Sequence, residues 1–294
     1  MADEPIANTM TSGPPVTPTM LTYIKPGPRR KVSIHLPGIF ASILVLCLLL
    51  APPAARAQAA SGLTVAAAAD LKYALEEVRQ AYTRKTGVPV RVTYGSSGNL
   101  FAQISNGAPF DVFLSADATY PRRLAESGQA SPETITEYAR GVLAVWMSAP
   151  VPGLDKNGGL KSLLQPEIKR VAIANPRHAP YGRAAEAALR QANIYGQVAP
   201  KFIFGENIAQ TAQFVQSGNA EAGIVALSLL KGAPGVQGTW WELPLDSYPP
   251  LEQAAVVTRQ AAGNKRAREF VSFLVSPEAR AIFERFGFRP GGKR

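Results

Sequence analysis

The stretch "VPVRVTYGSSGNLFAQIS", residues 88–105, joins a strand pattern to a helix pattern through a short turn. Apolar and polar residues alternate from Val88 to Tyr94, which is the period of a β-strand. A helix is expected near residues 98–106, and Gly107 ends it. The Gly-Ser-Ser-Gly turn between them has no bulky or charged side chain, so its backbone can approach a ligand closely.

The same succession of strand and helix patterns continues along the rest of the chain. It begins with a buried strand in "LTVAAAAD", residues 63–70, and ends with two helices, the last of which opens at Ser276 and Pro277. Strands that alternate with helices of about ten residues predict an α/β protein with mainly parallel sheets. No Pro/Ser-rich linker divides the chain, which favours two lobes between which the chain passes more than once.

The first 57 residues differ in kind from the rest. Residues 1–30 are rich in Pro, Thr and Gly, without apolar period, and are predicted to be disordered. A basic cluster at 29–31, an apolar run at 38–51 and the triplet Ala55-Arg56-Ala57 form a signal-peptide pattern, which predicts export and cleavage before Gln58. The apolar run of about 14 residues is short of the roughly 20 that a membrane anchor needs.

Composition excludes several classes of protein. The only cysteine, Cys47, lies in the apolar run, so the exported chain has neither disulfides nor thiolate metal sites. The formal net charge is +10, but the basic residues are scattered rather than clustered with aromatic residues, which argues against nucleic-acid binding. A modest positive field instead suits a small anion.

Four segments have the form of anion sites at the carboxyl ends of strands. In open α/β sheets ligands bind beyond these ends, where the N-termini of the following helices present free N–H groups. The segments follow strand patterns, open helices and contain small residues, glycine or proline: "AAAADL" (66–71), "YGSSGNL" (94–100), "NPRHAPYGRAA" (175–185) and "GENIAQT" (205–211).

Longer motifs carry a resemblance to a known family. They are "YGSSGNLFAQISNGAPFDVFLSAD", "VAIANPRHAPYGRAA", "GENIAQTAQFVQSGNAEAGIVALS" and "FLVSPEARAIFERFGF". Together they resemble the periplasmic molybdate-binding proteins of ABC importers, over about residues 61–290. The resemblance implies a type II periplasmic-binding-protein fold, in which two α/β lobes, joined by two crossover hinge segments, close over a tetrahedral oxyanion. We expect one lobe from 58–142 with 248–294 and the other from 143–247.

The resemblance also implies a set of ligand residues. Ser97 matches a serine that donates its hydroxyl and backbone N–H, and Tyr181 and Ile208 match positions that donate backbone N–H groups. These groups contact oxygen atoms of the anion, so no residue is expected to bind the molybdenum atom directly, and no cofactor is implied. One branch of the family has a tyrosine ligand where this chain has Ala226. The phenol of Tyr181 is a hypothetical substitute.

Asp70 departs from the resemblance, because many members have serine there. A carboxylate beside an anion is repelled by about 4 kcal/mol per unit charge pair at 4 Å and an effective dielectric of 20. The main expectation is that the Asp70 side chain turns back to cap the following helix, while the N–H groups of Ala69 and Asp70 face the anion. Alternatively, Asp70 accepts a hydrogen bond from a protonated oxyanion such as hydrogen phosphate, or the ligand is changed or lost.

The implied function is capture of molybdate, and also of tungstate, by an exported monomer that is not an enzyme and that delivers the anion to a membrane ABC permease. Three alternatives stay open. One is a binding protein for sulfate or phosphate, and another is a sensor module. The third is an exported serine hydrolase that uses Ser97, His178 and an acid such as Asp111, although the G-x-S-x-G pattern is absent.

Overall fold

A computed structural model of the protein describes residues 62–150 and 158–291. All of them belong to one compact unit, Ala57–Arg294. The predicted disordered extension and signal segment, residues 1–57, lie outside the described residues. In the described part, no helix has the length and apolar character needed to cross a bilayer.

Over most of the described chain, strands and helices alternate as the sequence patterns predict. The strands are β1 (Leu63–Ala68), β2 (Val90–Gly95), β3 (Val112–Ser115), β4 (Thr136–Gly141), β5 (Leu143–Met147), β6 (Val171–Ala174), β7 (Phe202–Gly205), β8 (Ala222–Ala226), β9 (Thr239–Glu242), β10 (Leu251–Val257) and β11 (Arg289–Pro290). The α-helices are α1 (Ala74–Thr86), α2 (Ser97–Ser105), α3 (Thr119–Glu126), α4 (Pro180–Gln191), α5 (Tyr195–Val198), α6 (Ile208–Gln216), α7 (Leu227–Gly232), α8 (Lys265–Phe273) and α9 (Pro277–Arg285).

The first sheet has the strand order β11-β4-β10-β3-β1-β2. β1 pairs in parallel with β2 and β3, and β10 pairs antiparallel with β3 and β4. Leu63 and Val65 of β1 pack in one hydrophobic cluster with α1, α8 and α9, whereas Ala66 packs in another with α2 and α3. Both faces of this sheet are therefore covered by helices, which explains why β1 has no polar face.

The second sheet has the strand order β7-β6-β8-β5-β9. β6 pairs in parallel with β7 and β8, and β5 pairs antiparallel with β8 and β9. Val145 of β5 packs in a cluster with α4, and Trp146 packs on the opposite face with Val215 of α6. The two sheets and their helices form the two lobes of the predicted α/β fold.

The sheets are mixed, so the prediction of mainly parallel sheets is wrong in this respect. Parallel pairing requires a crossover between successive strands. The chain passes from β4 in the first sheet to β5 in the second with only Val142 between them, and from β9 back to β10 without a helix. The two strands that enter a new sheet in this way, β5 and β10, pair antiparallel with their neighbours. The sequence patterns predicted neither β4 nor β9, so these reversals were not foreseen.

The lobe boundaries at 142/143 and 247/248 remain a proposal. They agree with the membership of the strands, since β4 and β10 lie in the first sheet and β5 and β9 in the second. The helix after β1 starts later than predicted: a 3₁₀ helix covers Ala69–Leu71, and α1 begins after Tyr73. Asp70 is therefore not the N-cap of α1, and the expected capping role is wrong.

Candidate functional site

The carboxyl ends of strands from both sheets meet at a narrow cleft. The cavity in this cleft has a volume of about 10 Å³. Each of the four predicted segments contributes to the lining, and so does the end of β3. The lining residues are Ala68, Asp70, Gly95, Ser96, Ser97, Ala116, Ala179, Pro180, Tyr181 and Ile208.

The structure brings most of the predicted ligand residues together. Asp70, Ser97, Tyr181 and Ile208 line this one cleft. Ala69 is buried next to Asp70 and packs in a hydrophobic cluster that consists mainly of residues of the second lobe. It is not among the residues that line the cleft. Their role as ligands of an anion stays a prediction.

Ser97 is the first residue of α2 and is almost completely buried. Its hydroxyl oxygen accepts a hydrogen bond of 3.0 Å from the backbone N–H of Ala116. This bond fixes the oxygen and leaves the hydroxyl hydrogen available for donation. The sequence analysis missed Ala116, although its place at the carboxyl end of a strand was a usable signal.

Two further helices direct their N-termini to the cleft. In α6, the side chain of Asn207 accepts the N–H groups of Ala209 and Gln210 at 3.0 and 3.1 Å, so the N–H of Ile208 lies outside this cap. In α4, Pro180 stands first and has no N–H, so the N–H of Tyr181 is the first amide donor of the helix. Such N–H groups and the helix dipole favour an anion.

Asp70 projects into a buried hydrogen-bond network instead of capping a helix. Its Oδ2 atom accepts a hydrogen bond from the hydroxyl of Tyr181 at 3.0 Å and another from Nε2 of Gln253. Gln253, on β10, accepts in turn from the hydroxyl of Tyr138 at 3.0 Å. No sequence motif indicated Gln253 or Tyr138, because they lie more than 60 residues from Asp70 along the chain.

The phenol of Tyr181 has one proton, and in this structure that proton is donated to Asp70. The hypothesis that the phenol replaces the ligand tyrosine missing at Ala226 therefore requires that this hydrogen bond break. Ala226 itself is buried at the end of β8. The backbone N–H of Tyr181 remains the simpler candidate donor.

Burial perturbs the ionisation of this network. It raises the pKa of Asp70 from the usual 3.8 to about 6, although the hydrogen bonds from Gln253 and Tyr181 lower it in part. Burial and the negative charge of Asp70 raise the pKa of Tyr181 and that of Tyr138 well above the usual range of a phenol. Both tyrosines are thus neutral donors at neutral pH, and Asp70 is the titrating member.

Contacts between the lobes surround the cleft. The N–H of Gly98 donates to the carbonyl oxygen of His178 at 2.9 Å, and Oγ of Ser96 lies 2.9 Å from Nδ1 of the same histidine. Asn99 donates to Glu206, whose other carboxylate oxygen lies 3.6 Å from His178 Nε2. These contacts join α2 to the segments that precede α4 and α6, so the structure has a closed cleft.

A second contact between the lobes is charged. Arg183 of α4 forms an ion pair of 2.7 Å with Asp117 and donates to the hydroxyl of Tyr120 at 3.2 Å. Asp117 also accepts hydrogen bonds from the N–H and hydroxyl of Thr119. The guanidinium group is therefore held at the rim by the first lobe.

The residues of the hydrolase alternative are not assembled. His178 contacts Ser96 rather than Ser97. Asp111 accepts hydrogen bonds from the N–H and hydroxyl of Thr64, both at 2.7 Å. Over residues 62–150 and 158–291, no cluster of three or more His, Cys, Asp or Glu residues could hold a metal ion.

Comparison with known proteins identifies the family. The family model described as bacterial extracellular solute-binding protein matches residues 63–289. This chain belongs to that family. As a solute-binding protein, it falls in a class whose function is transport rather than catalysis, and whose members bind a ligand rather than a cofactor.

Relatives agree with the resemblance found in the sequence. This solute-binding protein is 38% identical over 248 residues to the molybdate-binding protein ModA of Rhodobacter capsulatus, covering 84% of this chain and 94% of the relative. It is 36% identical over 236 residues to ModA of Azotobacter vinelandii, covering 80% of this chain and 92% of the relative. The resemblance to periplasmic molybdate-binding proteins is thus confirmed.

A solved structure supports the two-lobed fold. The periplasmic molybdate-binding protein of Azotobacter vinelandii superposes with a TM-score of 0.74 at 33% identity, covering 78% of this chain and 100% of the other. The sulfate-binding protein SubI of Mycobacterium tuberculosis has a TM-score of 0.65 at 16% identity, a likeness of fold alone. The predicted α/β two-lobed fold is confirmed.

Proposed function

We propose that this protein captures molybdate, and also tungstate, in the cleft between its lobes and delivers the anion to the permease of an ABC importer. One observation carries the proposal. Ser97, Tyr181 and Ile208 stand at the N-terminal ends of three helices from both lobes and line one cleft, and the described lining includes no lysine or arginine. The names of its relatives support molybdate as the solute.

Neutral donors suit this task for a physical reason. Amide and hydroxyl groups fixed in a buried cleft discriminate by size and by the number of protons on the anion, because each donor needs an acceptor lone pair at a set place. A lysine would attract any anion. Since the donors come from both lobes, a bound anion stabilises the closed form and shifts the population towards it.

The proposal includes the cellular context expected from the sequence. The signal segment is cleaved near Ala57 and Gln58, the mature chain works as a periplasmic monomer, and the partner is a membrane permease. Export is consistent with membership of an extracellular solute-binding family.

Titration of the mature protein with molybdate, tungstate, sulfate and phosphate tests the proposal. A ligand at 1,000 times its dissociation constant adds about 4 kcal/mol of stability. We expect molybdate and tungstate to raise the melting temperature strongly, and sulfate to raise it little or not at all. A melting temperature that molybdate leaves unchanged contradicts the proposal.

Ile208 offers a test of a single backbone donor. Proline is tolerated at the first position of a helix, and the preceding Asn207 is extended, with φ −147° and ψ 174°, as a residue before proline prefers. Ile208→Pro therefore removes the N–H with little damage to α6. Ile208→Ala is the matched control, since it shortens the side chain but keeps the N–H. We expect calorimetry to show much weaker molybdate binding for Ile208→Pro than for Ile208→Ala; equal affinities would contradict the assignment.

Hydrogen phosphate is a second candidate solute, favoured by Asp70. A carboxylate oxygen in an anion cleft can accept a hydrogen bond only from a protonated anion, and phosphate is the common tetrahedral oxyanion that keeps a proton near neutral pH. Phosphate that binds more tightly than molybdate in the same titration would decide for this candidate.

A further inference from the structure

One polar atom of a residue that lines the cleft has no hydrogen-bond partner in the part of the chain that the structure describes. Oδ1 of Asp70 is buried and receives no hydrogen bond from any described residue, whereas Oδ2 receives two. The N–H groups of Asp70 and Leu71 lie near enough to lower the carboxyl pKa, but neither bonds to Oδ1 with good geometry. A buried carboxylate oxygen without a donor is costly and requires an explanation.

Within residues 62–150 and 158–291, no positively charged group compensates the charge of Asp70. The titratable groups that face it are the phenols of Tyr181 and Tyr138, from α4 and β4. On the neighbouring α7, Ser228 donates its hydroxyl to the backbone oxygen of Asp70, and Lys231 is exposed.

The other neighbouring helices add none either. The acidic residues at the start of α1 are paired, Glu76 with Arg79 and Glu77 with Arg285, and Lys72, just before α1, is exposed. The segment of α6, "IAQTAQFVQ", contains no titratable residue. An ionised Asp70 would thus meet a bound dianion without any cation between them.

We infer that closure over a doubly charged oxyanion places one proton between Oδ1 of Asp70 and an oxygen of the anion, so that Asp70 serves as a specificity-determining ligand. The inference rests on the proposed function of this cleft. With molybdate, which is unprotonated near neutral pH, the proton comes from solvent and forms an O–H bond on Oδ1. With hydrogen phosphate, the anion brings the proton and no uptake from solvent is needed.

The coupling predicts a particular dependence of affinity on pH. If only the protonated form of Asp70 accepts molybdate, the apparent affinity is reduced by the fraction that is protonated. The pKa of Asp70 is about 6 in the closed form and lower in a solvated open form, so above pH 7 that fraction falls about tenfold per pH unit, and molybdate binds about tenfold more weakly at pH 8 than at pH 7. Asp70→Asn abolishes this slope and binds molybdate more tightly than the wild type at pH 8.

Calorimetry of the mature protein with sodium molybdate tests the inference. Titrations at one pH in HEPES and in Tris, which differ in ionisation enthalpy, count the protons that each binding event takes up. We expect about one proton per molybdate between pH 7 and 8 for the wild type, and none for Asp70→Asn. A structural role of Asp70 alone, as acceptor of Tyr181 and Gln253, would change affinity but not this count.

The outcomes separate the inference from the proposed function. Molybdate binding without proton uptake overturns the inference and leaves the function intact, and the wild-type count decides this even if the variant fails to fold. Uptake that persists in Asp70→Asn assigns the proton to another group and also overturns the inference. Absence of molybdate binding from pH 5 to pH 8 overturns both.

Discussion

Closure of the cleft depends on a glycine, and Gly98→Ala is the sharpest perturbation of it. Gly98 is the second residue of α2, in the first lobe, and it faces the loop of the second lobe that contains His178. A methyl group built on it would lie 2.6 Å from the carbonyl oxygen of His178, 2.9 Å from its Cα and 2.9 Å from the hydroxyl of Tyr120. Two of these three atoms are backbone, so rotation of a side chain cannot relieve the clash.

The size of the effect follows from these distances. Ordinary contacts of a Cβ atom begin at 3.4 Å, so the His178 oxygen must withdraw by about 0.8 Å. The hydrogen bond from the Gly98 N–H, now 2.9 Å, would lengthen to about 3.7 Å and be lost. Overpacking costs about 1–3 kcal/mol and the lost hydrogen bond about 1 kcal/mol, together roughly 2–4 kcal/mol. The Tyr120 hydroxyl lies in the same lobe as Gly98 and can move as a side chain, but the contacts with His178 exist only in the closed form, so the dissociation constant should rise about 30- to 1,000-fold.

The assay combines calorimetry with thermal unfolding of the unliganded protein. Alanine is a better helix former than glycine by about 0.5–1 kcal/mol. We therefore expect Gly98→Ala to leave the unliganded melting temperature unchanged or raised while molybdate affinity falls. Gly196→Ala is the matched control, since Gly196 lies in the short helix α5, has no atom within 4 Å of a built methyl group, and is exposed.

Two results would refute this reasoning. A Gly98→Ala protein that binds molybdate within threefold of the wild type would show that the bound state does not have the closed contact described here. An equal loss of affinity in Gly196→Ala would show that the effect comes from glycine replacement in general.

Three smaller perturbations test other parts of the structure. In the closed form burial raises the pKa of Asp70 to about 6, so the stability that its protonated form contributes is present below about pH 3.8 and lost as pH rises through 6. In thermal unfolding, Asp70→Asn should be more stable than the wild type at pH 7.5 and no more stable below pH 4; the gain reaches about 3 kcal/mol for a protein whose cleft stays closed and is smaller for one that opens without its solute. Arg183→Ala removes a partly exposed ion pair with Asp117, so calorimetry should show about a two- to fivefold weaker affinity at low salt that converges with the wild type at high salt. Ser276→Ala removes the side-chain cap from the N–H of Ala279 at the start of α9, which should cost about 1 kcal/mol of unfolding free energy without changing molybdate affinity.

Local signals in the sequence were sufficient for most elements of the fold. The period of two from Val88 to Tyr94 matches β2, and the Ser276 and Pro277 signal matches the start of α9. The strands that were missed, such as β4 and β9, lie where the chain reverses or leaves a sheet. Their neighbours are set by distant pairing, as in Leu251 opposite Gly141, and no local period encodes such a register.

The residues of the site also divide into those that local sequence predicts and those that it does not. Ser97, Tyr181 and Ile208 could be predicted because each stands at a strand-to-helix turn, a feature written in a few consecutive residues. The partners of Asp70 could not, because Tyr181 and Gln253 reach it across the interface between lobes and across the first sheet. Local preference predicted that Asp70 caps a helix, but its carboxylate instead accepts hydrogen bonds from these two donors, which come near it only in the folded protein.

The carboxyl group of Asp70 also bears on the form that the protein adopts without its solute. In the closed structure the carboxyl group is buried and Oδ1 has no donor among the described residues, so an ionised Asp70 disfavours this form above about pH 6. An opening of the lobes that admits water to the carboxyl group would remove this penalty. An unliganded protein at neutral pH is therefore biased towards the open form, and an anion that arrives with a proton removes the bias. A permease that recognises the closed form would then meet mainly protein that has bound its solute. This bias comes from the negative charge of Asp70 in the cleft, and a neutral serine at this position, which is common in the resembled family, would not produce it.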